Sequence, residues 1–309
     1  MPYSLEDISQ KSAEHHLPLV NDIDNLRFDK FTYQEGVYNK HEYILRPGCL
    51  CVGECGIDPN CICVAQSSIR LISQRRIKNV GDLHDQLFKK KLFECGSKCA
   101  CKGSCSQQVS FARLPWRLEV FRTQKAGFSV RTKEFLHKGT FICQLAGELM
   151  TPKEVAKFVD MDKDFLFTFK SDTIEDSTHL SIYCKARGNV SRFFNHSCLP
   201  NMFLMLFYTD QANPAWPNIG FVANRDIDEG EELTFFYGEQ WLAELLQARK
   251  FCFCSSEYCV LPPPGTTLIE YEKVLQNARR KTHELKKKRK AIKAAQNTND
   301  DCKSNHIEF

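Results

Sequence analysis

The sequence has no long apolar run. None of its segments approaches the ~18–20 consecutive apolar residues that cross a bilayer. Its first ten residues, MPYSLEDISQ, lack both the basic start and the apolar stretch of a secretory signal. No self-similarity occurs at the periods of ~20–50 residues that mark repeat proteins. We therefore expect a soluble, intracellular, non-repetitive chain that has no membrane partner.

The 309 residues carry 42% hydrophobic and 26% charged side chains, which is typical of a globular body with a buried core. The charge is unevenly distributed. The segment 279–293, RRKTHELKKKRKAIK, contains nine Lys or Arg and one Glu, a larger surplus than the net +4 of the whole chain. The remainder is therefore slightly acidic, which favours a basic peptide as substrate. The run 286–290, KKKRK, indicates a nuclear address or a contact with nucleic acid.

Sixteen cysteines are the most unusual part of the composition, and in a reducing compartment clustered thiols indicate metal rather than disulfides. Nine of them form a first group: Cys49, Cys51, Cys55, Cys61, Cys63, Cys95, Cys99, Cys101 and Cys105. Zinc takes four tetrahedral ligands, so nine thiolates fit two closed sites with one left over, or three ions that share bridging sulfurs. The repeated Cys-x-Cys spacing favours sharing, because such near neighbours can reach adjacent metals.

A second group supplies only three thiols, one fewer than a structural zinc site needs. These are Cys252, Cys254 and Cys259. Cys198, the last residue of the Asn-His-Ser-Cys segment 195–198, is the candidate for the fourth ligand. Three cysteines have no such context and are interpreted as core or tail thiols: Cys143, Cys184 and Cys302.

Between the two cysteine groups, short β-rich runs alternate with turn residues. The clearest runs are 117–121, 140–145, 165–169 and 219–223. One helix start is predicted at Thr151-Pro152-Lys153-Glu154, a capping box with proline at the first helical position. After LPPPG at 261–265, we expect a lysine-rich helix over 269–296 and a disordered end. The pattern predicts a mixed, mainly β domain, whereas residues 1–40 show no clear period.

Three segments resemble the SET-domain protein lysine methyltransferases. GNVSRFFNHSCLPN (188–201) resembles the family's G-N-x-x-R-F-x-N-H-S-C-x-P-N, and EELTFFYG (231–238) is similar to E-E-L-T-[FY]-D-Y-G. The segment 125–150 is similar to K-G-W-G-[VL]-R followed by F-x-x-x-Y-x-G-E. The nine-cysteine block resembles the pre-SET module, and CFCSSEYC (252–259) resembles the post-SET module. This layout is similar to that of the histone H3 lysine-nine methyltransferases, closest to the SETMAR-like branch.

The resemblance implies a SET fold of short curved sheets with a knot-like C-terminal crossing. It also implies a three-zinc cluster in the pre-SET module and a single zinc in the post-SET module. The implied organisation is an N-terminal segment at 1–40, a pre-SET module at 41–110, a SET domain at 113–238, a post-SET module at 248–264 and a basic tail at 265–309.

The implied activity is methyl transfer from S-adenosylmethionine to a lysine of the histone H3 tail, lysine nine above all, on nucleosomes in the nucleus. Tyr237 would supply a phenol near the methyl group and the amine. The implied cofactor-binding residues are Gly127, Phe128, Ser129, Phe165, Arg192, Asn195, His196 and Tyr237. Leu145 and Phe235 would line the substrate channel. The second zinc would pin the C-terminal segment against residues 195–196 and close that channel.

Each of these residues also has a structural interpretation. Tyr237 could be a core tyrosine, Asn195 a turn residue, and His196 a residue that holds its loop through a buried hydrogen bond. The family carries Phe or Tyr at Phe235, and a hydroxyl there restricts the channel. Phenylalanine therefore predicts products beyond monomethyl-lysine.

Several departures from the family pattern stand against full activity. Leu145 and Phe165 replace tyrosines, and each lost polar group can remove ~2–4 kcal/mol of transition-state stabilisation. Other replacements are Phe128-Ser129 for Trp-Gly, Phe236 for Asp, and Gln107-Gln108 for Asn-Arg. The alternative is therefore a weak or inactive chromatin-binding protein that retains zinc and cofactor. A zinc-dependent nucleic-acid binder would need basic residues among the cysteines, and 49–63 contains no Lys or Arg.

Overall fold

The computed structural model of the chain describes residues 3–27, 30–41, 44–56, 58–73, 76–78, 91–102, 104–110, 113–158, 161–169, 180–210, 216–248, 250–254, 256, 259 and 261. Across these residues, eighteen short strands accompany three α-helices. The prediction of a mixed, mainly β chain is therefore confirmed. The predicted helix at 269–296 and the chain end after it lie outside the described residues.

Most strands are between two and five residues long. The first nine are β1 (Tyr3–Leu5), β2 (Leu19–Asn21), β3 (Thr32–Tyr33), β4 (Val37–Tyr38), β5 (Leu71–Ser73), β6 (Arg76–Ile77), β7 (Lys91–Phe93), β8 (Leu118–Arg122) and β9 (Phe128–Thr132). The other nine are β10 (Phe141–Gln144), β11 (Gly147–Met150), β12 (Leu166–Phe169), β13 (Leu180–Tyr183), β14 (Arg187–Gly188), β15 (Asn195–His196), β16 (Met202–Tyr208), β17 (Asn218–Ala223) and β18 (Thr234–Phe235). Each of the four β-rich runs forms a strand, as predicted: β8, β10, β12 and β17.

The α-helices are short: α1 (Ile62–Gln66), α2 (Pro152–Lys157) and α3 (Glu239–Gln247). Two 3₁₀ turns occur at Lys163–Phe165 and Val190–Phe193. The capping box predicted for α2 is present. The Thr151 hydroxyl accepts a hydrogen bond from the Glu154 backbone N–H, and the Glu154 carboxylate accepts one at 2.8 Å from the Thr151 N–H. The box gives the Thr151 N–H an acceptor and adds a second acceptor for the Glu154 N–H, which also donates to the Thr151 carbonyl oxygen.

Three four-stranded sheets form the body of the fold, with strand orders β1-β2-β8-β9, β10-β17-β16-β7 and β12-β13-β11-β4. All seven residues of β16 are buried, because β16 lies between β17 and β7 and both of its faces are covered. Its side chains alternate between two hydrophobic cores. Met202, Leu204 and Leu206 enter the larger core, whereas Phe203, Met205 and Phe207 enter the smaller one.

The N-terminal segment contributes strands to these sheets, although its sequence shows no period. Strand β2 pairs in parallel with β8, and β1 pairs with β2. Strands β3 and β4 pair in parallel with β14 and β11. The side chains of Leu17 and Leu19 are almost completely buried in the larger core. The segment is therefore an integral part of the fold.

The chain divides into two compact units. The first comprises Met1–Asn195 and Pro200–Phe235, and it contains the three sheets and the first cysteine group. The second comprises His196–Leu199 and Phe236–Phe309. Its described core has four buried members: Cys198, Leu242, Cys252 and Leu261. No described helix has the length and apolar character needed to cross a membrane.

Candidate active site and metal centres

All nine thiols of the first group meet in one cluster, in which eight are buried and Cys51 is partly exposed. Four-thiol sets with all sulfurs within 4.8 Å of one another overlap, and Cys49 belongs to three of them. Sulfur–sulfur distances include 3.8 Å for Cys49–Cys55 and 3.7 Å for Cys63–Cys99. A tetrahedral zinc with Zn–S bonds of ~2.3 Å separates its sulfurs by ~3.8 Å, so these thiols fit zinc. The overlap of the sets favours shared sulfurs over two separate sites.

Hydrogen-bond donors surround the sulfurs of this cluster. Both terminal nitrogens of the buried Arg46 lie near the sulfur of Cys63, at 3.5 and 3.6 Å. The thiol of Cys95 and then the Arg46 guanidinium lower the pKa of Cys63 to about 5. A thiol that ionises easily is the form that binds metal. Arg46 therefore favours the thiolate at Cys63, whereas burial raises the pKa of the neighbouring thiols Cys49, Cys55 and Cys105.

The second unit gathers the other four predicted ligands. Cys198, Cys252, Cys254 and Cys259 have all four sulfurs within 4.8 Å of one another, and the Cys198–Cys259 distance is 3.8 Å. The structure thus brings the thiol of the Asn-His-Ser-Cys segment to the three cysteines near the C-terminus. Four converging thiols have the number and spacing of a closed structural zinc site.

His196 links this thiol group to Tyr237 within the second unit. Its Nδ1 accepts a hydrogen bond from the backbone N–H of Tyr237 at 3.2 Å, and its Nε2 lies 3.4 Å from the sulfur of Cys198. Burial lowers the pKa of His196 to about 4, so the ring is neutral at physiological pH. Because Nδ1 is the acceptor, the ring proton lies on Nε2 and faces the sulfur. The ring also packs on Trp241, with a centroid distance of 4.5 Å.

Tyr237 itself is partly exposed, at 36% of its surface, so its ring is accessible. Its ring centroid lies 5.0 Å from that of Trp241. The next residue, Gly238, has a φ of +106°, a conformation that a side chain would strain. This glycine turns the chain directly into α3. The position of Tyr237 is therefore set by a glycine turn and by His196.

In the first unit, two of the predicted cofactor residues, Phe128 and Ser129, are connected to Asn195. Its amide nitrogen donates to the carbonyl oxygen of Phe128 at 3.2 Å and to the carboxylate of Glu232 at 3.4 Å. The Ser129 hydroxyl donates to the same carboxylate. Gly127 has a φ of +75°, and a Cβ added there would meet no atom within 4 Å. Open space beside this backbone fits the prediction that it is presented to a ligand.

Two family models match the chain: the SET domain at residues 127–238 and the Pre-SET motif at residues 9–108. The chain belongs to the SET-domain family. The predicted fold class and family are confirmed, while the number of zinc ions, the module boundaries and the residue roles stay predictions.

Relatives of this SET protein include H3 lysine-9 specific histone-lysine N-methyltransferase SUVH1 of Nicotiana tabacum. The two are 30% identical over 272 residues, which cover 82% of this chain and 37% of the relative. Histone-lysine N-methyltransferase SETMAR of Mus musculus is 28% identical over 254 residues, covering 75% of this chain and 76% of that protein. KRYPTONITE, solved in complex with mCHH DNA, H3(1-15) peptide and SAH, aligns with a TM-score of 0.62 and 26% identity, covering 76% of this chain and 47% of that one. The chain thus spans less than half the length of the tobacco relative.

Arg192 and Phe165 of the SET domain contact each other. The guanidinium of Arg192 lies 4.7 Å from the ring centre of Phe165 and 4.3 Å from that of Phe31. It also donates hydrogen bonds to the carbonyl oxygens of Cys184 and Lys185, at 3.0 and 3.1 Å. The structure therefore places Arg192 in a structural network that includes a predicted cofactor residue. A direct role of Arg192 or Phe165 toward the cofactor remains a prediction.

The two predicted channel residues of the SET domain are buried and apolar. Leu145 is 3% exposed, and Phe235 is 5% exposed. The Phe235 ring packs on Phe221, with a centroid distance of 5.0 Å, and on Phe167 at 6.2 Å. All the atoms that these two side chains could present to an amine are carbons.

Sequence reasoning missed Glu232 and Asn201. The buried Asn201 side chain donates to the Glu232 carbonyl oxygen at 2.8 Å and accepts from the Thr234 N–H at 2.9 Å. Both residues stand inside the matched segments, Glu232 in EELTFFYG and Asn201 at the end of GNVSRFFNHSCLPN. The motifs therefore contained the signal, but nothing in the spacing showed which side chains would meet.

Proposed function

We propose that this protein is an S-adenosylmethionine-dependent lysine methyltransferase that acts on the histone H3 tail, with lysine nine as the target. The observation that carries the proposal is the pair of assembled motifs, Asn195 with Gly127–Ser129 and His196 with Tyr237, within a SET domain. Relatives named as H3 lysine-9 methyltransferases and a similar fold solved with an H3 peptide and SAH support it. We also propose the module boundaries given above, 41–110, 113–238 and 248–264.

When bound, S-adenosylmethionine supplies the methyl group as an activated sulfonium. The chain must provide a neutral lysine amine, and a free lysine has a pKa of ~10.4, so only about one in a thousand is neutral at physiological pH. Apolar walls at Leu145 and Phe235 disfavour the ammonium form and lower that pKa. Tyr237 holds the neutral amine in position through its phenol oxygen, while Asn195 and His196 hold the cofactor.

The metal content that we propose is three zinc ions in the nine-cysteine cluster and one in the four-cysteine site. Nine thiolates can fill twelve coordination places if three of them bridge, and the overlapping thiol sets support such sharing. The basic segment 279–293 and the family support a nuclear, chromosomal location and a contact with nucleic acid. That segment lies outside the described residues.

Tyr237→Phe is expected to lower methyl transfer to an H3 tail peptide by about 10²-fold or more, because an oriented polar group at the reacting atoms is lost. The measurement is transfer of radiolabelled methyl groups at saturating cofactor. Tyr38→Phe is the matched control, since Tyr38 is an exposed tyrosine on β4. An unchanged rate in Tyr237→Phe would remove the proposed role, and no transfer by the wild-type protein would overturn the activity itself.

Phe235 is expected to permit products beyond monomethyl-lysine. Its ring carries no hydroxyl. A hydroxyl at this position would fill part of the substrate channel and could hydrogen-bond to the amine, and both effects hinder a second methyl transfer. Mass spectrometry of the H3 peptide should therefore show dimethyl- or trimethyl-lysine with the wild-type protein, and a shift toward monomethyl-lysine with Phe235→Tyr. A wild-type product that stops at monomethyl-lysine would contradict this expectation.

A second candidate function is a chromatin-binding protein that retains zinc and cofactor without turnover. It is favoured by Leu145 and Phe165, which lack the hydroxyls of the family tyrosines. Titration with S-adenosylmethionine beside the methylation assay separates the two functions. Cofactor binding without methyl transfer to any H3 tail peptide would support this second function.

A further inference from the structure

Glu232 carries a carboxylate that several predicted cofactor residues share. Its Oε1 accepts a hydrogen bond from the Ser129 hydroxyl and lies 3.4 Å from the amide nitrogen of Asn195. That amide nitrogen also donates to the Phe128 carbonyl oxygen at 3.2 Å. Ser129, Asn195 and Phe128 are thus connected through two atoms, the Oε1 of Glu232 and the amide nitrogen of Asn195.

These two hydrogen bonds fix the orientation of the Asn195 amide. A primary amide has two hydrogens on nitrogen, and both are directed at protein acceptors here. Among the described residues no group donates to the amide oxygen, Oδ1, which is the remaining polar atom. Asn195 therefore presents an acceptor, and the part of a ligand that it binds must be a donor, such as an ammonium, a hydroxyl or an amino group. S-adenosylmethionine carries all three kinds of donor.

The carboxylate that holds Asn195 is itself held at its backbone. Asn201, which is 4% exposed, donates to the Glu232 carbonyl oxygen at 2.8 Å. The backbone at Arg131 and Glu232 also forms an antiparallel bridge between β9 and the segment before β18. Supporting contacts of this kind restrict where the carboxylate can lie, which is what a precise binding site requires.

Ser129 is a feature of this chain, since the family pattern has glycine at that position. Its side chain is completely buried, and a buried hydroxyl needs a hydrogen-bond partner. The Glu232 carboxylate supplies that partner, and hydrogen bonds to a charged acceptor are the stronger kind. The departure from glycine therefore adds a donor that tethers the carboxylate beside Asn195.

We propose that Glu232 is a positioning residue for the cofactor, tethered by Ser129, that orients Asn195 so that its Oδ1 accepts a hydrogen bond from a donor group of S-adenosylmethionine. The inference rests on the proposed function and deepens it. Glu232 acts through Asn195 and does not itself touch the reacting atoms.

The test measures binding of S-adenosylmethionine to the full chain by calorimetry, together with the KM values for cofactor and for H3 peptide. The variants are Glu232→Ala, Glu232→Gln, Ser129→Ala and the double variant Glu232→Ala/Ser129→Ala. Thermal unfolding of each variant establishes that it is folded. Glu232→Gln keeps an oxygen acceptor and is the conservative variant, and Ser129→Ala still tests the tether should Glu232→Ala fail to fold.

Two neighbouring residues supply matched controls. Glu231→Gln removes a carboxylate from the adjacent position, where it binds Arg225 with an N–O distance of 3.0 Å at an exposed site. Thr132→Val removes a buried hydroxyl from the same strand as Ser129, where it donates to the Glu134 carbonyl oxygen at 2.6 Å. In neither control does the deleted group contact a side-chain atom of Asn195 or Glu232. Both control variants should therefore bind cofactor as the wild type does.

Glu232→Ala is expected to weaken cofactor binding about tenfold or more, and Ser129→Ala about threefold, with the peptide KM unchanged. Because Ser129 acts through Glu232, the double variant should bind no worse than Glu232→Ala alone. Glu232→Gln should recover most of the loss. A merely structural role would instead raise both KM values together.

Two results would overturn the inference. One is cofactor binding within twofold of the wild type by Glu232→Ala, or by Ser129→Ala should Glu232→Ala not fold, and the other is a double variant whose loss equals the product of the two single losses. A wild-type chain that binds cofactor but methylates no histone peptide would overturn the proposed activity and leave this inference standing. A wild-type chain that binds no cofactor would overturn both.

Discussion

Replacing Cys252 by alanine should abolish methyl transfer and remove one zinc ion, while the zinc of the nine-cysteine cluster stays in place. Cys252 is one of four buried core residues described in the second unit, and Cys198 is another. Half of this small core therefore consists of thiols that would bind metal, and a core of this size needs such a crosslink to persist. With one ligand gone, three thiols cannot close a tetrahedral site.

Loss of this zinc would reach Tyr237 through His196. The sulfur of Cys198 faces Nε2 of His196, and Nδ1 of the same ring accepts the Tyr237 backbone N–H. Once Cys198 is released from metal, the ring loses the fixed partner that sets its orientation. We expect the rate of methyl transfer to fall by about 10³-fold or more, as for removal of an essential oriented group.

Elemental analysis and the radiolabelled transfer assay measure the two expected changes together. Cys143→Ala is the matched control, because Cys143 is an equally buried thiol that belongs to the larger hydrophobic core and to no four-thiol set. It should keep its zinc content and most of its activity. Turnover in Cys252→Ala near the wild-type rate would contradict the coupling between the second zinc and the active site.

Deleting residues 1–40 should prevent the SET domain from folding. Strands β1 to β4 complete three different sheets, so their removal leaves unpaired edges on β8, β11 and β14. It also removes the buried side chains Leu17 and Leu19 from the larger core. We expect an aggregated or non-cooperatively unfolding product, measured by circular dichroism and urea titration.

A graded version of this prediction uses single substitutions on β2. Leu19→Ala should lower the free energy of unfolding by about 3 kcal/mol, as for other buried leucines truncated to alanine. Leu19 is 0% exposed, whereas its neighbour Val20 is only partly buried, so Val20→Ala should have a clearly smaller effect. A shortened chain lacking 1–40 that unfolds cooperatively with near-native stability would contradict the structural role of the segment.

The features that could be predicted from sequence are those encoded by neighbouring residues. The capping box at Thr151 and the four β-rich runs needed only local patterns, and the structure confirms them. Zinc-like cysteine spacing is likewise local, because each group supplies most of its ligands within about fifteen residues. The family segments then indicated Cys198 as the remaining thiol.

The features that could not be predicted depend on contacts between distant residues. Strands β3 and β4 are two residues each, too short to show any alternation, and they are strands only because β14 and β11 pair with them. The meeting of Ser129, Asn195 and Glu232 likewise joins three separate segments. Local pattern determines which elements form, whereas the side chains that meet are determined by the pairing of the sheets.

The parallel pairing of β2 with β8 has a consequence for the order of folding. It joins Leu19 to Val120, about a hundred residues later in the chain, and β3 pairs with β14, which lies further on. During synthesis β2 and β3 must therefore wait for β8 and β14 to be translated before this pairing can form. Closing such a long loop costs chain entropy before any native contact compensates for that cost. This makes folding slow. Strands β2, β3 and β4 are made well before β8, β14 and β11, and they are among the last parts of the chain to reach this pairing.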